Sequence, residues 1–165
     1  MKTETELQTQ IKRLANLLQA QDHKMATAES CTGGLIAKAA TDLAGSSNWF
    51  DRALVTYSNQ AKIDLLSVSA NTLAKYGAVS LEVINEMIKG LMSDASYSMG
   101  VAISGIAGPE GGSDEKPVGT VWIAWGVLDY DIRARCYQFS GDREQVRLQA
   151  AIAAIEGLIE YLEDD

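Results

Sequence analysis

The feature that most constrains this chain is an alternation of period. Three times a segment with helical spacing leads into a short apolar run of strand length. Residues 3–20 place Leu7, Ile11, Leu14 and Leu18 on one helical face, with Thr3 and Glu6 spaced as a capping box, and a strand is expected over 24–29. Gly33 and Gly34 then open a helix over 35–44, ended by Gly45, before a second strand over 52–57. Short helices follow from Asn59 and over 69–76, and Ser80 caps a longer one with Leu81, Ile84, Ile88 and Leu91 as its inner stripe. A third strand is expected over 98–104. Helices between strands imply crossover connections and parallel pairing. After a glycine-rich loop over 105–117, strands over 118–128 and 131–139 are close enough to form a hairpin, which adds at least one antiparallel strand. Asp142 and Gln145 cap a last helix carrying Leu148, Ile152, Ile155, Ile159 and Leu162, and the acidic tail from Glu163 is expected to be solvated. The expected fold is a three-layer α/β/α arrangement around a mixed, mostly parallel five-stranded sheet.

Composition prunes the chemistry. A chain of 165 residues is expected to form one domain over 1–165, at about 150 residues per domain. Net charge is −8, from 14 Lys and Arg against 22 Asp and Glu, which disfavours a nucleic-acid partner, because phosphate neutralisation needs a basic face. There is one histidine, His23, and there are two cysteines, Cys31 and Cys136, with no zinc-ligand spacing, so no metal and no cofactor is expected. Two distant cysteines and the lack of a signal-peptide core fit a reducing cytoplasm. No run of 18 apolar residues occurs, and no membrane partner is expected.

In open α/β sheets ligands bind at the carboxyl ends of the parallel strands, which points to Glu29-Ser30, Tyr57-Ser58 and Ser104-Gly105. Ser30 sits where the first strand turns into a helix, and the free amides of that helix start can hold an anion or an oxyanion. A serine there is also an ordinary cap, and spacing alone favours the cap. Cys31 is a rival nucleophile without a histidine in view. His23 lies at the opposite end of the first strand, about six residues or roughly 20 Å from Ser30, and reads as a surface residue. With Asn59 as a helix cap, Lys62 falls in the first helical turn, where a positive charge is poorly placed; periodicity alone reads it as solvated. Gly105, Gly108, Gly111 and Gly112 give a loop whose amides can cradle a phosphate, or that is simply a flexible crossover. Lys116 and Arg143 can add charge, and Trp49, Phe50 and Tyr57 can sandwich a planar ring or, for the first two, belong to the core.

Taken in order, Ala28-Glu29-Ser30-Cys31-Thr32-Gly33-Gly34, Tyr57-Ser58-Asn59 with Lys62, Gly77-Ala78-Val79-Ser80, Gly105-Ile106-Ala107-Gly108-Pro109, Lys116-Pro117-Val118-Gly119-Thr120 and Gly141-Asp142-Arg143 closely resemble the CinA C-terminal domain family. Each motif is weak alone; six in this order, spread over about residues 6–160, are specific. The stand-alone members of that family are nicotinamide-nucleotide amidases, so the resemblance implies hydrolysis of the carboxamide of nicotinamide mononucleotide to nicotinate mononucleotide and ammonia. It implies Ser30 as nucleophile, Lys62 as general base and Tyr57 as the tyrosine that assists them. Thr32, Gly33, Gly34, Ser104, Gly105, Gly108 and Arg143 are expected around the substrate. The family usually has threonine where this chain has Ser104, which keeps the hydroxyl. Larger members carry a pyrophosphatase domain for which this chain has no room. The alternative is a non-catalytic nucleotide-binding module linked to competence or DNA damage. Self-association, as a dimer, is expected from the prevalence of symmetric homo-oligomers.

Overall fold

The computed structural model describes residues 1–94, 96–128 and 131–164. The elements run α1 (Glu4–Ala20), β1 (Met25–Glu29), α2 (Leu35–Thr41), a 3-10 turn (Ser46–Asn48), β2 (Phe50–Val55), α3 (Asn59–Leu66), α4 (Ala70–Tyr76), α5 (Leu81–Leu91), β3 (Met99–Gly105), β4 (Thr120–Val127), β5 (Arg133–Gln138) and α6 (Arg143–Glu163). The helix starts follow local chemistry. Thr3 and Glu6 form the reciprocal capping box, and Ser69, Ser80 and Asp142 each accept the N3 amide of their helices. Asp165, the last residue of the acidic tail, lies outside the described residues.

The sheet order is β2-β1-β3-β4-β5. β1 pairs parallel with β2 and β3, while β4 is antiparallel to both β3 and β5, so β4 alone runs against the other four strands. The expected mixed, mostly parallel sheet is therefore present. In register, Glu29 faces Val55 on one side and Ile103 on the other. The carboxyl ends of the three parallel strands thus finish level, and the residues that follow them meet at one edge.

The two faces of the sheet differ in side-chain size. Met25, Met99, Val101, Ile103, Val121, Ile123 and Trp125 point to the side covered by α1, α2 and α6. Ala26, Ala28, Ala102 and Ala124 point to the side covered by α3, α4 and α5. Gly100 and Gly126 continue that smooth face, and a Cβ on either would lie 2.7 Å from the Met92 side chain just past α5. Small residues let α5 sit close against the strands. On the other face Trp125 is accommodated by Gly157 of α6, where a Cβ would fall 2.2 Å from the indole. The indole N–H donates to the Ala154 carbonyl at 2.8 Å. Each large apolar side chain buried in these layers contributes about 1.5–3 kcal/mol.

Three expectations need correction. β2 runs two residues earlier than expected, because its ladder with β1 starts at Met25 and ends where β1 turns at Ser30; Tyr57 therefore lies beyond the strand. Leu81 is 42% exposed, since the buried stripe of α5 is rotated onto Val83, Ile84, Met87, Ile88 and Leu91. α2 stops at Thr41, ahead of Gly45.

Candidate active site

Ser30 leaves β1 with its amide still donating to the Ile103 carbonyl of β3 at 3.0 Å, so the nucleophile candidate is an extension of the sheet. Its side chain is buried, with 8% exposure for the residue. The chain then turns through Gly33 (φ +58°) and Gly34 (φ +95°), backbone conformations that cost an L side chain about 1–2 kcal/mol. The carboxylate of Glu29, fully buried, accepts the Ile36 amide at 3.1 Å, the Ala37 amide at 3.2 Å and the Thr27 hydroxyl at 3.1 Å. The first-turn amides of α2 are thus already engaged by the protein's own anion. This corrects the expectation that they are free for a ligand.

Lys62 comes from α3. Its cap is Ser58 rather than Asn59: the Ser58 hydroxyl accepts the Ala61 amide at 3.0 Å from an extended backbone. That places Lys62 at the fourth helical position, on the face turned toward the sheet. Far from being solvated, Lys62 is 1% exposed. Its Nζ lies 3.1 Å from Ser30 Oγ, 2.9 Å from the Thr56 carbonyl oxygen and 3.3 Å from the Tyr57 carbonyl oxygen. Among the described residues no carboxylate pairs with it. Burial pushes its pKa below the usual lysine value, against a smaller opposing influence of the Cys31 thiol.

Tyr57 meets Lys62 through its backbone carbonyl only. The residue is 61% exposed at the mouth of the cleft, and its hydroxyl accepts from Arg143 Nη2 at 3.2 Å. Arg143, the first residue of α6, also donates to the Gly108 carbonyl at 2.7 Å, and among the described residues it has no acidic partner. Ser104, the next-to-last residue of β3, donates to the Ala78 carbonyl at 2.8 Å, drawing the segment before α5 over the site.

These groups enclose a cleft of about 270 Å³. Of the expected residues Ser30, Lys62, Tyr57, Ser104, Gly105 and Arg143 line it. Thr32, Gly33, Gly34 and Gly108 do not line it. The wall also includes Asn59, Ala78, Val79 and Ala107, all within the sequence motifs but with no chemistry that singles them out. A larger open hollow of about 680 Å³ between the starts of α1 and α6 includes Ser140, but among the described residues no basic group hydrogen-bonds its hydroxyl.

Several neighbours are excluded by their positions. Cys31 is buried, and that burial pushes its thiol up to about 11, so it is protonated at neutral pH and a poor nucleophile. Trp49 is core, packed edge-on against Phe50 at the opposite end of the sheet, where its carbonyl accepts the Met25 amide. His23 is at that end too, 2.9 Å from Ser98 Oγ. The glycine loop bonds largely to itself and to β4, and only Gly105 and Ala107 of it reach the cleft. Lys116 is turned to the Tyr76 carbonyl, 2.6 Å away. Among the described residues no three His, Cys, Asp or Glu side chains cluster with metal-binding geometry, and no helix is long and apolar enough to cross a membrane.

The model of the CinA C-terminal domain family matches residues 7–162. The nicotinamide-nucleotide amidohydrolase PncC of Enterobacter agglomerans is 57% identical over 139 residues, 84% of this chain and 85% of that protein. The protein of the same name from Escherichia coli K12 is 49% identical over 156 residues, 94% of each. Among solved structures, the competence/damage inducible protein CihA from Agrobacterium tumefaciens superposes with a TM-score of 0.92 over 96% of both chains at 39% identity. The competence-damaged protein (CinA) superfamily protein from Klebsiella pneumoniae gives 0.89 over 99% of this chain and all of that one, at 40% identity. A family model matched over residues 7–162 and identities of 49% and 57% over most of the chain lead to one assignment: the chain belongs to the CinA C-terminal domain family.

Proposed function

We propose that this protein is a nicotinamide-nucleotide amidohydrolase that converts nicotinamide mononucleotide and water into nicotinate mononucleotide and ammonia, with Ser30 as nucleophile and Lys62 as base. The observation that carries the mechanism is the setting of Lys62 Nζ. It is buried with no counter-ion among the described residues, 3.1 Å from Ser30 Oγ, and its other two hydrogen-bond neighbours are carbonyl oxygens, which only accept. A neutral amine gives its two N–H groups to those carbonyls and turns its lone pair to the Ser30 hydroxyl. Burial favours that neutral form.

Lys62 takes the hydroxyl proton as Ser30 Oγ attacks the carboxamide carbon. The resulting tetrahedral centre expels the amine, which leaves as ammonia with the proton returned by Lys62. The ester left on Ser30 is cleaved by water, again with Lys62 as base, releasing the carboxylate. Arg143, a cation at the cleft rim with no acidic partner among the described residues, suits the nucleotide phosphate, and the exposed Tyr57 suits the pyridinium face. Ser104 and Gly105 bound the floor, while Thr32, Gly33, Gly34 and Gly108 keep the walls in shape. We further infer a cytoplasmic enzyme that works as a dimer without nucleic-acid or membrane partners, in keeping with its net charge of −8. A light-scattering mass equal to one chain overturns the dimer.

Ammonia release from nicotinamide mononucleotide tests the activity, with free nicotinamide as the control. Turnover of the nucleotide far above that of the free base is expected. No ammonia from either overturns the assignment, and equal turnover removes the role of the phosphate contacts.

A further inference from the structure

An amide hydrolase needs a donor for the oxygen that becomes negative in the tetrahedral state. The amides at the start of α2 are unavailable, because Glu29 holds those of Ile36 and Ala37. Within the turn itself, the Ser30 amide donates to Ile103, that of Gly33 to the Ser30 carbonyl and that of Leu35 to the Thr32 carbonyl. Thr32 is fully buried and Gly34 lies off the cleft. What remains is the Cys31 N–H, which has no backbone acceptor among the described residues, approaches only the weakly accepting sulfur of its own side chain, and belongs to a residue lining the cleft beside Ser30. The Ser30–Cys31 peptide is trans, and its carbonyl is taken by Gly33 inside the turn, so its N–H points outward.

The opposite side of the turn is held from 116 residues away. Arg147, one turn along α6 from Arg143, donates through Nε to the Cys31 carbonyl at 3.0 Å and through Nη2 to the Thr32 carbonyl at 2.9 Å. Among the described residues it has no carboxylate partner, so its charge is spent on these two peptide groups. Two charged groups therefore fix the turn from opposite chemistries: Glu29 takes amides and Arg147 takes carbonyls.

We propose that the Cys31 main-chain N–H is the oxyanion donor of this enzyme and that Arg147 is the positioning residue that fixes it. The proposal rests on the reading of Ser30 as nucleophile. A planar fork grips two carbonyls where an ammonium can grip only one well, so arginine is required for the position as well as the charge.

The test uses pyridine-3-boronic acid, which forms a tetrahedral adduct on an active serine and places an anionic oxygen where the oxyanion would be. In a crystal structure of the adduct, one boronate oxygen is expected at about 2.7–3.1 Å from Cys31 N. In Arg147→Met, kcat should fall about 10²-fold, the loss typical of a misplaced catalytic geometry, with KM unchanged. Boronate affinity should weaken in parallel, while nicotinate mononucleotide, which has no tetrahedral centre, binds as before. Arg147→Lys should lie between the two, and it decides the question by the same ratio of boronate to product affinity if the Met variant does not fold. A boronate oxygen held by other donors overturns the assignment, as does a variant that raises KM at constant kcat. A boronate that is not bonded to Ser30, or a fully active Ser30→Ala, instead overturns the reading of the nucleophile.

Discussion

Replacing Lys62 by Met keeps the length and the apolar stem of the side chain and removes only the amine. Two carbonyls, those of Thr56 and Tyr57, then lose their donor, at about 1–3 kcal/mol each. Against this, the cost of stripping the proton from the amine on burial at neutral pH disappears with the amine. The two effects oppose each other, and a parent-like circular dichroism spectrum checks that the variant folds before its kinetics are read. A general base contributes about 10²–10⁴-fold, which at about 1.36 kcal/mol per tenfold is about 2.7–5.5 kcal/mol of barrier. Ammonia release should fall by that factor, with product binding retained. The parent rate should rise with pH through one ionisation below the ordinary lysine range, since only the neutral amine accepts the Ser30 proton. That limb should be absent from the residual activity of the Met variant. Lys62→Arg should be as damaging, because a guanidinium stays protonated at every working pH. An Arg variant with near-normal turnover refutes the reasoning and leaves Lys62 as a fixed positive charge.

The same burial has a consequence for stability. With the folded pKa below the unfolded value of 10.5, the unfolded chain binds more protons between the two, so stability rises with pH across that window; Lys62→Met should lose this slope, and its stability relative to the parent should be greatest at low pH and decline toward pH 10.5 in urea titrations. Ser30→Ala should abolish turnover by several orders of magnitude with product binding intact, and Cys31→Ala should cost far less; the reverse order would make Cys31 the nucleophile. Arg143→Met should raise KM for the nucleotide by roughly 10–150-fold, matching a charge-assisted hydrogen bond of about 1.5–3 kcal/mol, and leave the slow turnover of free nicotinamide unaffected. Gly157→Ala should destabilise by about 1–3 kcal/mol from overpacking against Trp125, despite the better helix propensity of alanine, and a stabilised variant in thermal melts would contradict that contact.

What the amino-acid order determines without help from the fold is what depends on near neighbours. The capping of α1 by Thr3 and Glu6, of α5 by Ser80 and of α6 by Asp142 joins atoms three residues apart, and all are as the spacing implies. The apolar stripes of α1 and α6 are periodic within one element, and the alternation of strands and helices restricts the topology to a largely parallel sheet. The roles proposed for Ser30, Tyr57 and Lys62 come only from the resemblance of whole motifs, because periodicity alone reads Ser30 as a cap and Lys62 as solvated. Tertiary structure decided the rest. Which face of α3 turns inward depends on where β1 and β2 end in register, and that register carries Lys62 from the first turn of a helix into a buried contact with Ser30, 32 residues away. Aromatic composition could not tell which end of the sheet Trp49 occupies. Glu29 was legible as a strand residue but not as the anion that fills the start of α2. Arg147 gave no local signal at all, since its partners are carbonyl oxygens of Cys31 and Thr32, and backbone acceptors look alike at every position until the chain is folded around them.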